Sequence, residues 1–163
     1  MSTRPRSCRQ PRCSRERPEV RFAALNKKAE EYAKQGKWEE ARLSLLSAID
    51  AQPKSDSAYF ALAEVQIKLK QIPQAIENYR AALNINPNHR DARLHLAALM
   101  MAARQFEIAE SDINKLLEKN PKDIEARILK ANLESTPLRK NYSESKQILK
   151  GVLADNPNQA AAI

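Results

Sequence analysis

Two histidines and two cysteines are the side chains of this chain best suited to metal or nucleophilic chemistry, and their placement argues against both. His89 and His95 are six residues apart, which is about 240° around a helix, so they lie on different faces. No cysteine stands near them, and His89 reads as a turn residue. Cys8 and Cys13 fall in an arginine-rich stretch and are too few to ligate zinc without further donors. Gly36 and Gly151 are the only glycines, whereas a loop that cradles phosphate needs several at fixed spacing. No catalytic residue, metal site, cofactor or small-molecule substrate is therefore expected.

The elements that hold these residues follow from composition. Glycine is scarce, while Ala, Leu, Lys and Glu are abundant, which favours helices over an all-β domain. The formal net charge of +8 is unevenly spread. Residues 1–21 carry seven arginines and two acids, a net of +5, together with Pro5, Pro11, Pro18 and both cysteines. The remaining residues hold 21 bases against 18 acids, so the body is close to neutral. Lacking an apolar period, 1–21 reads as a disordered arginine-rich tail. It has no aromatic residue on which bases could stack, so a nucleic-acid partner is not expected.

The body repeats. Pro53, Pro87 and Pro121 are 34 residues apart, and Pro157 follows after 36. Ala29, Ala63, Ala97 and Ala131 keep the same period, as do Ala41, Ala75 and Ala109, continued by Ser145. Large residues stay in register: Leu45, Tyr79, Ile113 and Leu149; Ile49, Leu83, Leu117 and Leu153; Trp38, Ile72, Phe106 and Tyr142. Each proline ends one helix and sets the chain for the next.

These series resemble the tetratricopeptide repeat, a 34-residue helix–turn–helix unit. With position 32 on each proline, the alanines fall at positions 8 and 20, where the family places small residues, and the bulky series falls at position 24. The resemblance implies an all-α fold, an α-solenoid of four stacked hairpins winding into a right-handed superhelix. The repeats span 22–55, 56–89, 90–123 and 124–157, the last with a two-residue insertion. Residues 158–163 read as the start of a truncated fifth repeat. Two antiparallel helices about 8–10 Å apart demand alanine where they approach most closely, and stacked neighbours bury what one hairpin cannot. Position 11, usually aromatic, is Tyr32 and then Gln66, Met100 and Glu134. Pro137 places the insertion in a lengthened turn.

The resemblance also implies where a partner sits: in the concave groove, on the first helix of each hairpin. Carried over position by position, that wall offers Asn26 and Glu30, then Ser57, Phe60, Ala61, Glu64, Ile67 and Lys68. Repeats three and four add Leu94, His95, Ala98 and Met101, then Glu125, Ile128, Leu129 and Asn132. The Lys/Asn/Arg clamp with which the chaperone-binding members grip a C-terminal carboxylate is not present: Glu30 stands at position 9 of repeat one and Asp91 at position 2 of repeat three. An apolar seam through Phe60, Ile67, Leu94, Met101 and Ile128 would suit an amphipathic helix or an apolar extended segment. A protein-interaction scaffold with a protein or peptide partner is the function expected.

The alternative is an envelope-anchored component of a bacterial export or assembly system. Cys13-Ser14 followed by a polar stretch and repeats resembles the start of bacterial tetratricopeptide lipoproteins, including those of exopolysaccharide export. Arg9-Gln10-Pro11-Arg12 replaces the apolar stretch that should come before such a cysteine. Membrane contact is expected only with Cys13 lipidated, and the uncapped C-terminal end offers a surface for self-association.

Overall fold

The computed structural model of the protein describes residues 17–155, which form eight α-helices and an α-solenoid. The helices pair as hairpins: α1 (Pro18–Lys34) with α2 (Trp38–Ala51), α3 (Asp56–Lys68) with α4 (Ile72–Ile85), α5 (Arg90–Ala102) with α6 (Phe106–Lys119), and α7 (Ile124–Glu134) with α8 (Tyr142–Asp155). Each hairpin stacks on the next through its second helix and the following first helix.

The period of 34 is written into the caps. Ser55, His89 and Asp123 are 34 apart and cap α3, α5 and α7, their side chains accepting the backbone N–H of Ala58, Ala92 and Ala126. Just before them, Gln52, Asn86 and Asn120 stand in extended backbone at the ends of α2, α4 and α6. The proline that follows each of them forbids the helical conformation there. Asn86 and Asn120 close the turn by accepting from the N–H groups of Asn88 and Lys122.

Within the hairpins the turns are equally regular. The N–H of Lys37, Gln71 and Gln105 bonds the carbonyl five residues back, and the N–H of Gly36, Lys70 and Arg104 bonds three residues back. That pattern needs one left-handed residue after the helix. It is Gly36 (φ 73), Lys70 (φ 61), Arg104 (φ 60) and, in repeat four, Lys140 (φ 52). The two-residue insertion shows here as a wider ring: the N–H of Asn141 reaches back seven residues to the carbonyl of Glu134, 2.9 Å away.

The core is built on the small residues. Ala41, Ala63, Ala75, Ala97, Ala109 and Ala131 have no exposed surface, and Tyr79, Met100, Ile113 and Leu133 are the large side chains packed among them. Position 11 is buried in repeats two to four, even where it is polar. Gln66 accepts from Asn78 Nδ2 at 2.7 Å, and Glu134 accepts from Arg139 Nη1 at 2.9 Å. These polar pairs replace the packing of the missing aromatic ring.

One boundary differs from the sequence expectation. Helix α1 starts at Pro18, four residues before 22, so the last residues assigned to the tail form its first turn. Pro18 sits in that turn, where its missing N–H costs no hydrogen bond. The rest of the tail, with Cys8 and Cys13, and the start of a fifth repeat at 158–163 lie outside the described residues.

Candidate functional site

The first helices α1, α3, α5 and α7 carry two apolar hollows separated by a polar ridge. The first, of about 360 Å³, lies between α1 and α3 and is edged by Asn26, Glu30, Ser57, Phe60, Ala61, Glu64 and Lys68. Its floor is Ala29, Ala33, Trp38, Leu45 and Val65. Ala33 leaves it open because a methyl group stands where Ile67 and Met101 carry long side chains in the next repeats. The second, of about 230 Å³, lies between α5 and α7 and is walled by Leu94, His95, Ala98, Glu125, Ile128 and Leu129.

The ridge is a cluster of three side chains from two repeats. Glu64 Oε1 accepts a hydrogen bond from the Tyr79 hydroxyl and lies 2.6 Å from His95 Nδ1. With both groups donating to that one oxygen, the 3.3 Å between Tyr79 Oη and His95 Nδ1 is a close approach of two donors. Phe60 covers the cluster, its ring centroid 5.8 Å from Tyr79, 4.9 Å from His89 and 5.6 Å from His95. The two histidines share this neighbour although they lie on different faces, because His89 caps the helix that carries His95.

The electrostatics follow. The hydrogen bond from His95 holds Glu64 below the ordinary carboxylate value, and the same bond raises His95, aided by Asp91 and Glu125. Burial, then Glu64, raises the Tyr79 phenol, so it stays a proton donor. The pair adds to stability in full between pH 4.5 and 6.5, the ordinary values of Glu64 and His95. The contribution is lost as pH falls through the lowered pKa of Glu64, and as it rises through the raised pKa of His95. Both side chains are more than a third exposed, so the expected size is about 0.5 kcal/mol. It would be measured as the difference between parent and His95→Gln in urea titrations at pH 5.5 and pH 9: a gap of that size at the lower pH, shrinking at the higher. An equal gap at both would show that the pair is not charged.

Of the residues expected in the groove, Asn26, Glu30, Phe60 and Glu64 edge the first hollow, and Leu94, His95 and Ile128 wall the second. Ile67 and Met101 line neither and pack against the core around Ala63, Ala75 and Met100. Leu94 is only 8% exposed and packs on Leu116 and Ala126, so it is as much core as groove. Asn132 is exposed on α7 outside both hollows. Ile67 and Met101 are both half-buried, as is Phe60, which packs against the same core. Ile67 and Met101 sit one turn before the interhelix bend, where packing between repeats draws a large apolar side chain inward. Sequence reasoning missed Tyr79 as the buried residue whose hydroxyl supports the ridge from the core. Its signal was a hydroxyl in a series otherwise filled by Leu45, Ile113 and Leu149, with Glu64 and His95 at groove positions on the flanking first helices.

Two models of the tetratricopeptide repeat match the chain, one over residues 26–90 and the other over residues 70–133. Together with the stacked hairpins, this makes the chain a member of the tetratricopeptide repeat family. Among solved structures, a tetratricopeptide repeat protein from Parabacteroides merdae is 30% identical, with a TM-score of 0.77, over 84% of this chain and 53% of that one. The chain thus spans about half the length of that relative. The first repeat domain of Spaghetti (RPAP3), bound to an HSP90 peptide, is 24% identical with a TM-score of 0.61, covering 80% of this chain and 94% of that one. YrrB, a repeat protein with an unusual peptide-binding site, is 18% identical with a TM-score of 0.71, covering 84% and 70%. No curated protein matches the chain in sequence.

Proposed function

We propose that the protein is an interaction scaffold whose concave face takes an extended segment or a helix of a partner protein. Apolar side chains of the partner enter the two hollows, and a polar group lies across the Glu64–His95 ridge. The observation that carries this reading is the origin of the walls. All six residues around the second hollow, and eight of the twelve around the first, come from the groove positions of first helices. Phe60, Ala61, Ala98, Ile128 and Leu129 keep apolar surface accessible there, while alanines from both helices of each hairpin form the core. The similar structures that hold an HSP90 peptide or a peptide-binding site are in keeping with it. The partner chemistry differs from a carboxylate clamp, since Glu30 and the Glu64–His95 pair meet the ligand first.

The test uses peptides selected from a random phage-displayed library on the intact chain. Ala61 and Ala98 edge the two hollows, Ala98 being exposed and Ala61 half-buried. Ala61→Arg with Ala98→Arg should fill both, weakening the selected peptides at least about tenfold, with the melting temperature unchanged. Peptides that bind the double variant as tightly as the parent would exclude the groove.

A further inference from the structure

The four turns that join the helices of each hairpin lie along one edge of the stack, and that edge is basic. Turn segments 34–38, 68–72, 102–106 and 135–142 contain no Asp or Glu. Lys34, Lys37, Lys68, Lys70, Arg104 and Lys140 are all exposed there. None of the six has an ion-pair partner within 4.0 Å among the described residues. Acids flank the turns on both sides: Glu39 is engaged by Arg42, Glu134 by Arg139 and Glu144 by Asn141, while Glu31, Glu40 and Glu107 are exposed on the adjoining helices, so the turns themselves carry bases alone. Lys70, Arg104 and Lys140 occupy the left-handed position, at φ 61, 60 and 52, which Gly36 fills in repeat one. Glycine takes that backbone freely and a lysine or arginine does not. The turns recur once per hairpin along the stack, so the cations form one row.

The same edge exposes apolar side chains. Leu138 is 72% exposed, Tyr142 61% and Ile72 38%. The Leu138 loop is braced: Arg139 turns inward onto Glu110 and Glu134, Lys140 N–H bonds the Thr136 carbonyl, and Asn141 N–H bonds that of Glu134. Leu138 is thus held outward by a fixed turn between Pro137 and two bases.

We propose that this edge docks on the surface of an anionic lipid bilayer, independently of any lipid on Cys13. The bases sit on the headgroups, and Leu138 and Tyr142 enter the boundary between headgroups and acyl chains. A nucleic acid would answer the cations but leave the braced leucine without a role. No described helix is long and apolar enough to cross a membrane, so the contact is peripheral. Edge-on docking leaves the concave groove open to the side.

The experiment is co-sedimentation of the full chain with vesicles of equal parts phosphatidylcholine and phosphatidylserine, against phosphatidylcholine alone. The parent should sediment with the first and not the second, less so as salt rises. Lys70→Gly, Arg104→Gly and Lys140→Gly together should weaken binding by on the order of 100-fold, about fivefold per charge. Their melting temperature should hold or rise, because glycine relieves the left-handed backbone. Leu138→Ser with Tyr142→Ser should weaken binding about tenfold without loss of stability. The proposal is overturned by a parent that ignores phosphatidylserine vesicles. It is equally overturned by a glycine variant that binds like the parent, which would place binding in the arginines of residues 1–17. Double-stranded DNA bound through the same three bases, with vesicle binding indifferent to the serine pair, would make the edge a polyanion site and refute the bilayer.

Discussion

Tyr79→Ala is expected to lower the free energy of unfolding by about 3–5 kcal/mol. Tyr79 is 1% exposed and packs with Ala63, Ala75, Ala82, Ala92, Leu96, Met100 and Ala109. Most of these neighbours are alanines, which have no side-chain reach to refill the space, so the cavity persists. The phenol is also one of two donors to Glu64, and its loss leaves that carboxylate to His95 alone. Tyr79→Phe separates the effects: it keeps the packing, and should cost about 1–2 kcal/mol through the hydrogen bond to a charged group. Urea titration of both variants reads the two numbers. A cost below about 1 kcal/mol for the alanine variant would put the ring outside the core.

Arg139→Ala is the second large effect, at about 2–4 kcal/mol. Arg139 Nη1 lies 2.9 Å from Glu134 Oε1 and 3.0 Å from Glu110 Oε1, and Nη2 donates to Glu110 as well. The Glu134 side chain is 8% exposed, so removing the guanidinium leaves its carboxylate with only Asn141 Nδ2 at 3.5 Å. A buried charge stripped of its partner costs about 3–5 kcal/mol, reduced here because Arg139 is itself 29% exposed. Lysine should restore less than half, since a single ammonium cannot bridge two carboxylates in the plane of the fork. Thermal unfolding of Arg139→Ala and Arg139→Lys checks this. Equal melting temperatures for parent and alanine variant would mean that the lengthened turn is held by its backbone bonds alone.

The hairpins were legible because a 34-residue period shows in residue types whatever the surroundings. Ala29, Ala41 and their successors announce close helix approach, and Pro53, Pro87 and Pro121 announce the breaks. The left-handed residue inside each interhelix turn was not legible. A left-handed residue is usually signalled by glycine, and Lys70, Arg104 and Lys140 carry no such sign. The start of α1 was lost for the opposite reason: Pro18 looks like a breaker among other prolines, yet it serves as the opening of a helix. Asn26, Glu30, Glu64 and His95 could be assigned to the edges of the two hollows by position alone. The fate of Ile67 and Met101 could not, because packing between repeats competes with solvent for a long apolar side chain. The Glu64–Tyr79–His95 cluster needs the relative setting of two repeats, which no single period records.

Amide chemical-shift mapping of the isotope-labelled chain with a library-selected peptide tests the binding face directly. The largest shifts should fall on α1, α3, α5 and α7, at Asn26, Glu30, Ala61, Glu64, His95, Ala98 and Ile128. Shifts concentrated on α2, α4, α6 and α8, with those residues unmoved, would contradict a concave binding site.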